Sequence, residues 1–315
     1  MSSLIVTIGK LAPVAFLFAA GALFARRGII GGEVSKAFSE FAFRLAIPAY
    51  LLGSLYVADL RRVFNVPALA AYTCTAIIAA AAVAVIARMR GRTTREIALR
   101  IMAACQVNTA YIAIPVFGLL FGDASPIFPV ILLQVCVLTT IVIAIMESAS
   151  RDSGDQGRTI VRQGIRAALT TPLVLSCWVG IAANLANVPA PQWLLDCLSM
   201  AGAAAAPVAL FALGLHLGAT GLRLHAADPD EYWLIACKCV GFPLLAFTLA
   251  HFVFHLSHPW LGYVVLIAAM PSPQNLFIFA QTYDTDIDLA ASIVVKSTIV
   301  TLMLLPLWAV ASARM

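Results

Sequence analysis

Carboxamide side chains stand beside two interruptions of long apolar segments. The first interruption spans residues 106–115 and contains Gln106, Asn108 and Pro115. The second spans residues 270–275 and contains Pro271, Pro273, Gln274 and Asn275. A carboxamide carries both a donor and an acceptor and can hydrogen-bond a carboxylate that has lost its water. The pattern predicts a polar binding site inside an otherwise apolar chain.

Paired interruptions of this kind are typical of the substrate site of secondary transporters. A bilayer core offers no water, so a span unwinds only where protein or a wet cavity satisfies its backbone. We predict that Gln106, Asn108, Gln274 and Asn275 bind the substrate. The alternative role of these amides is to satisfy the freed carbonyls or to bond across helices, for about 1 kcal/mol each.

The prolines are predicted to shape these breaks. Each removes a backbone donor and crowds the preceding turn, so Pro115, Pro271 and Pro273 should each mark a division between two half-helices. The N-terminus of a half-helix carries a partial positive charge, which favours an anion beside it. The breaks therefore favour a negatively charged ligand.

Four basic residues, Lys10, Arg44, Lys238 and Lys296, fall inside apolar segments, where a charge is costly. Arg44 has Glu40 four residues earlier, and Lys10 and Lys238 are close enough to a segment end to reach the interface. Lys296 has no carboxylate one turn away, so we expect it to face the cavity and hold the substrate's negative charge. Gln134 corresponds to Lys296 if the halves of the chain repeat with a four-residue gap, and it joins the candidate site.

Composition identifies the elements that must position these residues. Apolar residues make up 62% of the 315-residue chain and charged residues 11%, which excludes an ordinary soluble domain. The apolar runs are long and continuous, as in transmembrane helices rather than barrel strands. Ten spans are predicted, at about 4–25, 34–57, 63–87, 97–121, 126–146, 166–188, 192–217, 231–255, 261–283 and 288–311.

The basic residues outside the spans predict the orientation. With the N-terminus outside, thirteen of them fall on the inner side, and only Arg61, Arg62 and Arg314 fall on the outer side. This is a strong positive-inside bias, so both termini are predicted to lie outside. The net charge of +5 follows from this asymmetry and predicts no nucleic-acid partner.

Proline spacing divides the chain into two similar halves. Pro13, Pro48 and Pro115 are followed by Pro172, Pro207 and Pro273 at nearly the same spacing. We predict a first five-helix repeat at 1–146, a cytoplasmic connecting loop at 147–165 and a second repeat at 166–315. Five spans per half is an odd number, so the repeats are inverted in the membrane, with broken crossover helices 4 and 9.

With these features the chain resembles the auxin efflux carrier family. The resemblance covers essentially the whole chain. It is most specific at residues 108–115 followed by Phe121-Gly122-Asp123, and at Met270-Pro271 followed by Phe279-Ala280. The chain is most similar to bacterial members described as malonate or other organic-acid permeases. The resemblance implies a substrate site where the two broken helices cross, divided between a scaffold domain and a moving transport domain.

The sequence thus predicts an all-α polytopic protein of the bacterial inner membrane that moves a small organic anion, such as malonate, by alternating access. A channel or a sodium-coupled symporter of similar fold remains an alternative, and an intramembrane enzyme is less favoured because the catalytic motifs G-x-S-x-G and H-E-x-x-H are absent. No cofactor is predicted, and a homodimer is left open.

Two further clusters are predicted to be structural rather than metal-binding. His251, His255 and His258 fall at the outer end of a span, where interfacial histidines are common. Asp284, Asp286 and Asp288 alternate like the ligands of a calcium loop but lack its glycine and distal glutamate, so we interpret them as a solvated turn.

Overall fold

A computed structural model describes residues 2–31, 34–148, 171–220 and 229–314, and within these ranges the regular secondary structure is helical throughout. The α-helices of the first part of the chain are α1 (Ser2–Arg26), α2 (Val34–Phe41), α3 (Ile47–Val57), α4 (Leu60–Val63), α5 (Val66–Met89), α6 (Thr94–Cys105), α7 (Ile114–Phe121), α8 (Phe128–Leu132) and α9 (Thr139–Ser148). Those of the second part are α10 (Pro172–Leu185), α11 (Gln192–Ala203), α12 (Ala205–Thr220), α13 (Pro229–Ala236), α14 (Phe242–Thr248), α15 (Trp260–Ala268), α16 (Asn275–Thr282) and α17 (Ile287–Arg314).

Short π-helical and 3₁₀ turns join several of these helices into longer rods. The π-helical stretches are Ala42–Ala46, Thr109–Ala113, Leu133–Leu138, Cys237–Gly241 and Leu249–Val253, and Ser125–Ile127 is a 3₁₀ turn. π-Bulges within α-helices occur often at functional sites. Thr109–Ala113 lies within the first predicted interruption, and Leu133–Leu138 contains the candidate residue Gln134.

Seven helical stretches of the described residues are long and apolar enough to cross a membrane. They are Ile5–Arg26, Leu60–Met89, Thr94–Phe121, Ser125–Met146, Gln192–Ala219, Pro229–Val253 and Ile287–Ser312. Each coincides with a predicted span, and the protein is an integral membrane protein with several spans.

The three other predicted spans differ from this simple pattern. Residues 34–57 are helical but carry the charged Lys36, Glu40 and Arg44. Residues 172–185 form a shorter apolar helix that begins after the cap residue Thr171, and the first residues of the predicted span, 166–170, lie outside the described residues. Residues 261–283 are divided by a non-helical segment at 269–274.

The described residues belong to two compact units, and each unit combines residues from both sequence halves. The first unit is drawn from Met1–Asn65, Thr109–Ile131 and Leu169–Leu222, and the second from Val66–Asn108, Leu132–Ala168 and Arg223–Met315. The predicted connecting loop, 147–165, lies outside the described residues apart from Glu147 and Ser148, which end α9.

Small residues bring the helices of the first unit close together. A Cβ atom added at Gly214 would lie 2.2 Å from the carbonyl oxygen of Phe18, and one at Gly218 would lie 2.4 Å from that of Ala22. Glycines four residues apart therefore allow the backbones of α1 and α12 to touch. In a membrane this close packing replaces the hydrophobic effect as the force that holds helices together.

The second unit places α5, α6 and α9 with α13 to α17, and it contains most of the polar side chains predicted to form a site. Gly262 has a packing role here, because a Cβ at this position would lie 2.4 Å from the carbonyl oxygen of Ser312. This close approach packs α15, which precedes the second interruption, against α17. The helix that follows the interruption, α16, also packs on α17.

Candidate functional site at two helix breaks

The first break occupies residues 106–108, the beginning of the predicted interruption at 106–115. Helix α6 starts with a capping box between Thr93 and Glu96 and ends at Cys105. Residues 106–108 are non-helical, and helical structure resumes at Thr109. The prediction that Pro115 divides this span is wrong: the helix that resumes at Thr109 as a π-helical stretch continues through Pro115 to Phe121. The π-helical stretch ends at Ala113, just before Pro115, so the missing N–H falls where the helical hydrogen bonding is already irregular.

Gln134 satisfies the backbone hydrogen bonds that the first break leaves open at Val107. Its Oε1 accepts a hydrogen bond from the Val107 N–H at 2.8 Å, and its Nε2 donates to the Val107 carbonyl, also at 2.8 Å. The hydroxyl of Tyr72 donates to the same Oε1 at 3.3 Å. Gln134, placed among the candidate substrate ligands, therefore holds the unwound chain in place with both of its polar atoms.

The two predicted amides of the first break are deeply buried. Gln106 is 2% exposed and Asn108 is 3% exposed. Gln106 Oε1 accepts a hydrogen bond from the hydroxyl of Thr139 at 3.3 Å, whereas its buried Nε2 has no hydrogen-bond partner among the described residues. A buried amide N–H₂ without a partner is costly, and it is the kind of group that a ligand oxygen would satisfy.

The second break is produced by its prolines. The carbonyl of Ile267 would normally accept from the residue at position 271, but Pro271 has no N–H, and the Met270 N–H donates to it instead at 3.1 Å. The carbonyl of Ala269 lacks its helical donor for the same reason, because that position is Pro273. Here the hydroxyl of Thr301 donates, at 3.4 Å.

Ser272 connects the second break to two other segments. Its N–H donates to the Ser297 hydroxyl at 3.2 Å. Its own hydroxyl donates to the Ala103 carbonyl at 2.7 Å, an acceptor that the first break leaves without its helical donor. The two breaks also meet through their backbones, since the Asn108 N–H donates to the Pro271 carbonyl at 2.8 Å.

Gln274 and Asn275 follow directly after this contact. Asn275 is the first residue of α16, and both side chains are half-buried. The Oε1 atom of Gln274 is buried and has no hydrogen-bond partner in the described part of the chain. The structure therefore places a spare donor, on Gln106, and a spare acceptor, on Gln274, at two breaks that are hydrogen-bonded to each other.

Lys296 has a carboxylate partner, contrary to the sequence-based expectation. Its Nζ lies 2.7 Å from Oε2 of the fully buried Glu231, sixty-five residues earlier in the chain. The hydroxyl of Ser292 donates to the other oxygen of the same carboxylate. Pairing and hydrogen bonding of this kind make a buried ionic group tolerable. A substrate role for Lys296 stays a prediction, but its charge is already balanced.

Lys238 does not reach the interface, and that prediction is wrong. The side chain is fully buried, and its Nζ lies 3.5 Å from the carbonyl oxygen of Ala268, the last residue of α15. The same nitrogen lies 4.4 Å from the centre of the Phe242 ring. Sequence position near the end of a span suggested an exposed ammonium, but neighbouring helices enclose it.

A second ionic cluster surrounds Asp230, at the start of α13. Its oxygens lie 2.6 Å from Arg90, 2.7 Å from Arg92 and 2.9 Å from Arg100. Arg100 also pairs with Asp286 at 2.6 Å. Asp284 and Asp288 are exposed, as a solvated turn requires, whereas Asp286 is half-buried and joins the turn before α17 to a fully buried arginine of α6.

Three hydroxyl-bearing residues contribute to this site and were not predicted from the sequence. Ser272, Ser297 and Thr301 each supply a hydrogen bond that a broken helix has lost. Their only sequence signal is that they are polar and lie in or beside apolar segments, which many serines and threonines share. Glu231 carried a stronger signal, since it stands at the start of a span, but its partner is distant in sequence.

Comparison with known proteins agrees with this architecture. The profile of the family described as "Membrane transport protein" matches residues 6–309. An "Uncharacterized transporter" of Methanothermobacter thermautotrophicus is 27% identical over 290 residues, which cover 90% of this chain and 91% of the relative. A "Putative malonate transporter" of Rhizobium meliloti is 25% identical over 299 residues, which cover 93% and 92%. The chain belongs to the membrane transport protein family, the auxin efflux carrier family that its sequence resembles.

Proposed function

Starting from membership of this transporter family, we propose that the protein is a secondary carrier that moves a small organic anion, a mono- or dicarboxylate such as malonate, across the bacterial cytoplasmic membrane. One observation carries the proposal. Two helix breaks that are hydrogen-bonded to each other contain a buried donor on Gln106 and a buried acceptor on Gln274, and neither group has a hydrogen-bond partner among the described residues. Broken helices of this type hold the substrate in secondary transporters. The relative named for malonate supports the substrate class.

The proposed site gives each amide a role. Asn108 and Gln106 of the first break and Asn275 of the second donate to the carboxylate oxygens, and Gln274 accepts from a protonated carboxyl group or a bound water. The first turn of α16 adds the partial positive charge of a helix N-terminus. Gln134 keeps the first break open without contacting the anion.

The carrier is proposed to contain ten spans in two inverted repeats, with both termini outside. Support comes from the hydrogen bonds behind the breaks. Gln134 accepts from the N–H of Val107, and Ser297 accepts from the N–H of Ser272. Gln134 and Ser297 are separated along the chain by nearly the same number of residues as the repeated prolines. The same holds for Val107 and Ser272. Each compact unit also draws on both halves of the chain, as intertwined repeats require.

A channel and a sodium-coupled symporter are the competing hypotheses. A channel conducts without saturating at modest concentrations and does not couple the movement of one anion to that of another. A carrier exchanges labelled for unlabelled substrate through the same site. The distinction between carrier and channel is kinetic, and it holds whichever ion is coupled to transport.

Counterflow in proteoliposomes tests the proposal. Vesicles that contain purified protein and unlabelled malonate should take up external radiolabelled malonate transiently, with saturation and with competition by other carboxylates. Empty vesicles and vesicles containing choline as the internal solute are the controls. Absence of counterflow across a panel of mono- and dicarboxylates, with counterflow of a cation or a neutral solute instead, would overturn the anion assignment.

Thiol labelling tests the proposed orientation. In a cysteine-free background, Arg88→Cys should react only from the cytoplasmic side and Pro189→Cys only from outside, because both native residues are exposed and fall on opposite sides of the predicted topology. Labelling of both positions from the same side would remove the ten-span arrangement and the inverted repeat.

A further inference from the structure

Lys238 presents a charged group to the end of a broken helix. Its Nζ faces the carbonyl of Ala268, the last residue of α15, and the side chain is fully buried. The C-terminal end of a helix carries a partial negative charge, which attracts a cation. A protonated Lys238 is therefore attracted to the second break by a partial charge only, and no carboxylate of the described residues adds to that attraction.

The Ala268 carbonyl is available because the break has redirected its usual donor. In a continuous helix this oxygen would accept from the N–H of Ser272, but that N–H donates to Ser297 instead. Pro273 removes the donor of the next carbonyl, that of Ala269. Unwound carbonyls at the end of a half-helix are the groups that bind a coupling Na⁺ in many secondary transporters.

The groups around Lys238 leave its charge without an acidic partner. The titratable side chains that face it are the thiols of Cys105 on α6 and of Cys237 and Cys239 beside it on its own helix. The phenol of Tyr72 packs against Phe242, whose ring lies under the ammonium. No carboxylate of the described residues forms an ion pair with Lys238. The acidic residue two turns earlier on the same helix, Glu231, is paired with Lys296.

Resting on the carrier function proposed above, we infer that Lys238 is the proton-coupling residue of the transport cycle and that its ammonium occupies the position of a coupling metal cation at the second break. The carrier is thus a proton–anion symporter that needs no sodium. An ammonium held by one carbonyl and one ring face lacks the compensation that a buried charge requires. A substrate anion at the neighbouring amides supplies that compensation.

The coupling follows from charge balance alone. When the anion binds, its negative charge stabilises the protonated form of Lys238, so the amine takes up one proton with the substrate. When the anion leaves on the other side of the membrane, the ammonium loses its stabilisation and releases the proton there. One proton accompanies each anion, and the Lys238 side chain forms no covalent bond at any step.

Two substitutions separate this role from that of a structural cap. Lys238→Gln keeps an N–H donor for the Ala268 carbonyl but cannot carry a proton, and Lys238→Arg keeps a donor and a charge that is never released. If Lys238 only caps α15, both variants should transport as the wild type does. Lys36→Gln, at an exposed lysine, is the matched control.

The test is malonate accumulation in proteoliposomes with the membrane potential clamped at zero. For one proton per anion, an inward gradient of about one pH unit should give about tenfold accumulation in the wild type and in Lys36→Gln, since a tenfold ratio corresponds to about 1.4 kcal/mol. Replacement of all Na⁺ by choline should change nothing. Lys238→Gln and Lys238→Arg should lose the accumulation but keep counterflow exchange.

Several results would overturn the inference while leaving the carrier function intact. They are tenfold accumulation by Lys238→Gln, a requirement of the wild type for Na⁺, and malonate accumulation by the wild type that does not change with the proton gradient. A wild type that shows no counterflow contradicts the proposed function instead.

A spectroscopic measurement tests Lys238 without any substrate. The chain has four lysines, so ¹⁵N-lysine NMR in detergent should resolve the Lys238 signal, identified by its loss in Lys238→Gln. That signal should change its protonation state between about pH 5 and pH 9, since the proton must be released under physiological conditions. A Lys238 that stays protonated across this range would contradict the coupling role even if no transported anion were found.

Discussion

The two breaks interrupt their helices by different chemistry. The first contains no proline, and one side chain, Gln134, bonds both the N–H and the carbonyl of Val107. The second contains two prolines, and its groups bond to side chains on two other helices, Ser297 and Thr301 of α17 and Lys238 of the π-helical stretch Cys237–Gly241. A span can thus be interrupted in two ways. A side-chain amide can take the backbone hydrogen bonds that the helix would otherwise form, or prolines can remove the N–H donors that the helix needs.

This difference predicts where each break is vulnerable. The first break depends on one buried amide, so a single substitution can remove two backbone hydrogen bonds at once. The second break distributes its hydrogen bonds, and prolines preserve the interruption whatever happens to the neighbouring side chains. Substitutions at both breaks test the comparison.

Substitution of the binding amides should abolish or severely weaken malonate binding at both breaks. We expect Asn108→Ala and Asn275→Ala each to weaken affinity by more than about tenfold, because a methyl group cannot hydrogen-bond a desolvated carboxylate. Isothermal titration calorimetry in detergent measures the loss. Gln281→Ala, at an exposed amide in the same helix as Asn275, is the control. Normal affinity in both break variants would place the site elsewhere.

The ion pair behind the second break should contribute strongly to stability. Lys296→Gln leaves the Glu231 carboxylate buried and unpaired, which should cost about 3 kcal/mol. Glu231→Gln in the same chain should recover most of that loss. Thermal unfolding in detergent of the two single variants and the double variant forms the cycle. A Lys296→Gln protein with unchanged stability but at least tenfold weaker malonate binding would show instead that Lys296 holds the substrate.

Removal of Gln134 should destabilise the first break. Gln134→Ala leaves the N–H and carbonyl of Val107 without partners, for a loss of about 2 kcal/mol. Gln134→Glu should be intermediate, because a carboxylate still accepts from the N–H but does not donate to the carbonyl. Hydrogen exchange at Val107 measures the effect directly. Equal protection of this amide in the wild type and Gln134→Ala would contradict the assigned hydrogen bonds.

The smallest effect is expected at the hydroxyl behind the second break. Ser297→Ala removes one hydrogen bond to the Ser272 N–H and should lower stability by about 1 kcal/mol, less than Gln134→Ala, while malonate exchange continues. Ser257→Ala, at an exposed serine, should have no effect. If Ser297→Ala were as damaging as Gln134→Ala, the proposed difference between the two breaks would be lost.

The sequence predicted the second break more accurately than the first, for a physical reason. Pro271 and Pro273 interrupt a helix in any surroundings, so their position is visible in the chain itself. The interruption at 106–108 arises because Gln134 competes for the backbone of Val107, and that competition exists only in the folded protein. Pro115 was a misleading signal, since the helix passes from the π-helical stretch Thr109–Ala113 through this proline without ending.

Composition and hydropathy alone determined that this chain is a helical membrane protein, because roughly 20 consecutive apolar residues suffice to span a bilayer whatever their neighbours are. The resemblance to a family of carriers, which is most specific at the two interruptions, determined that the protein is a transporter. Only the tertiary structure decided which buried charges are paired, since Glu231 and Lys296 lie sixty-five residues apart. It also decided that Lys238 is enclosed rather than interfacial, because burial depends on which helices pack around a side chain and not on its distance from the end of a span.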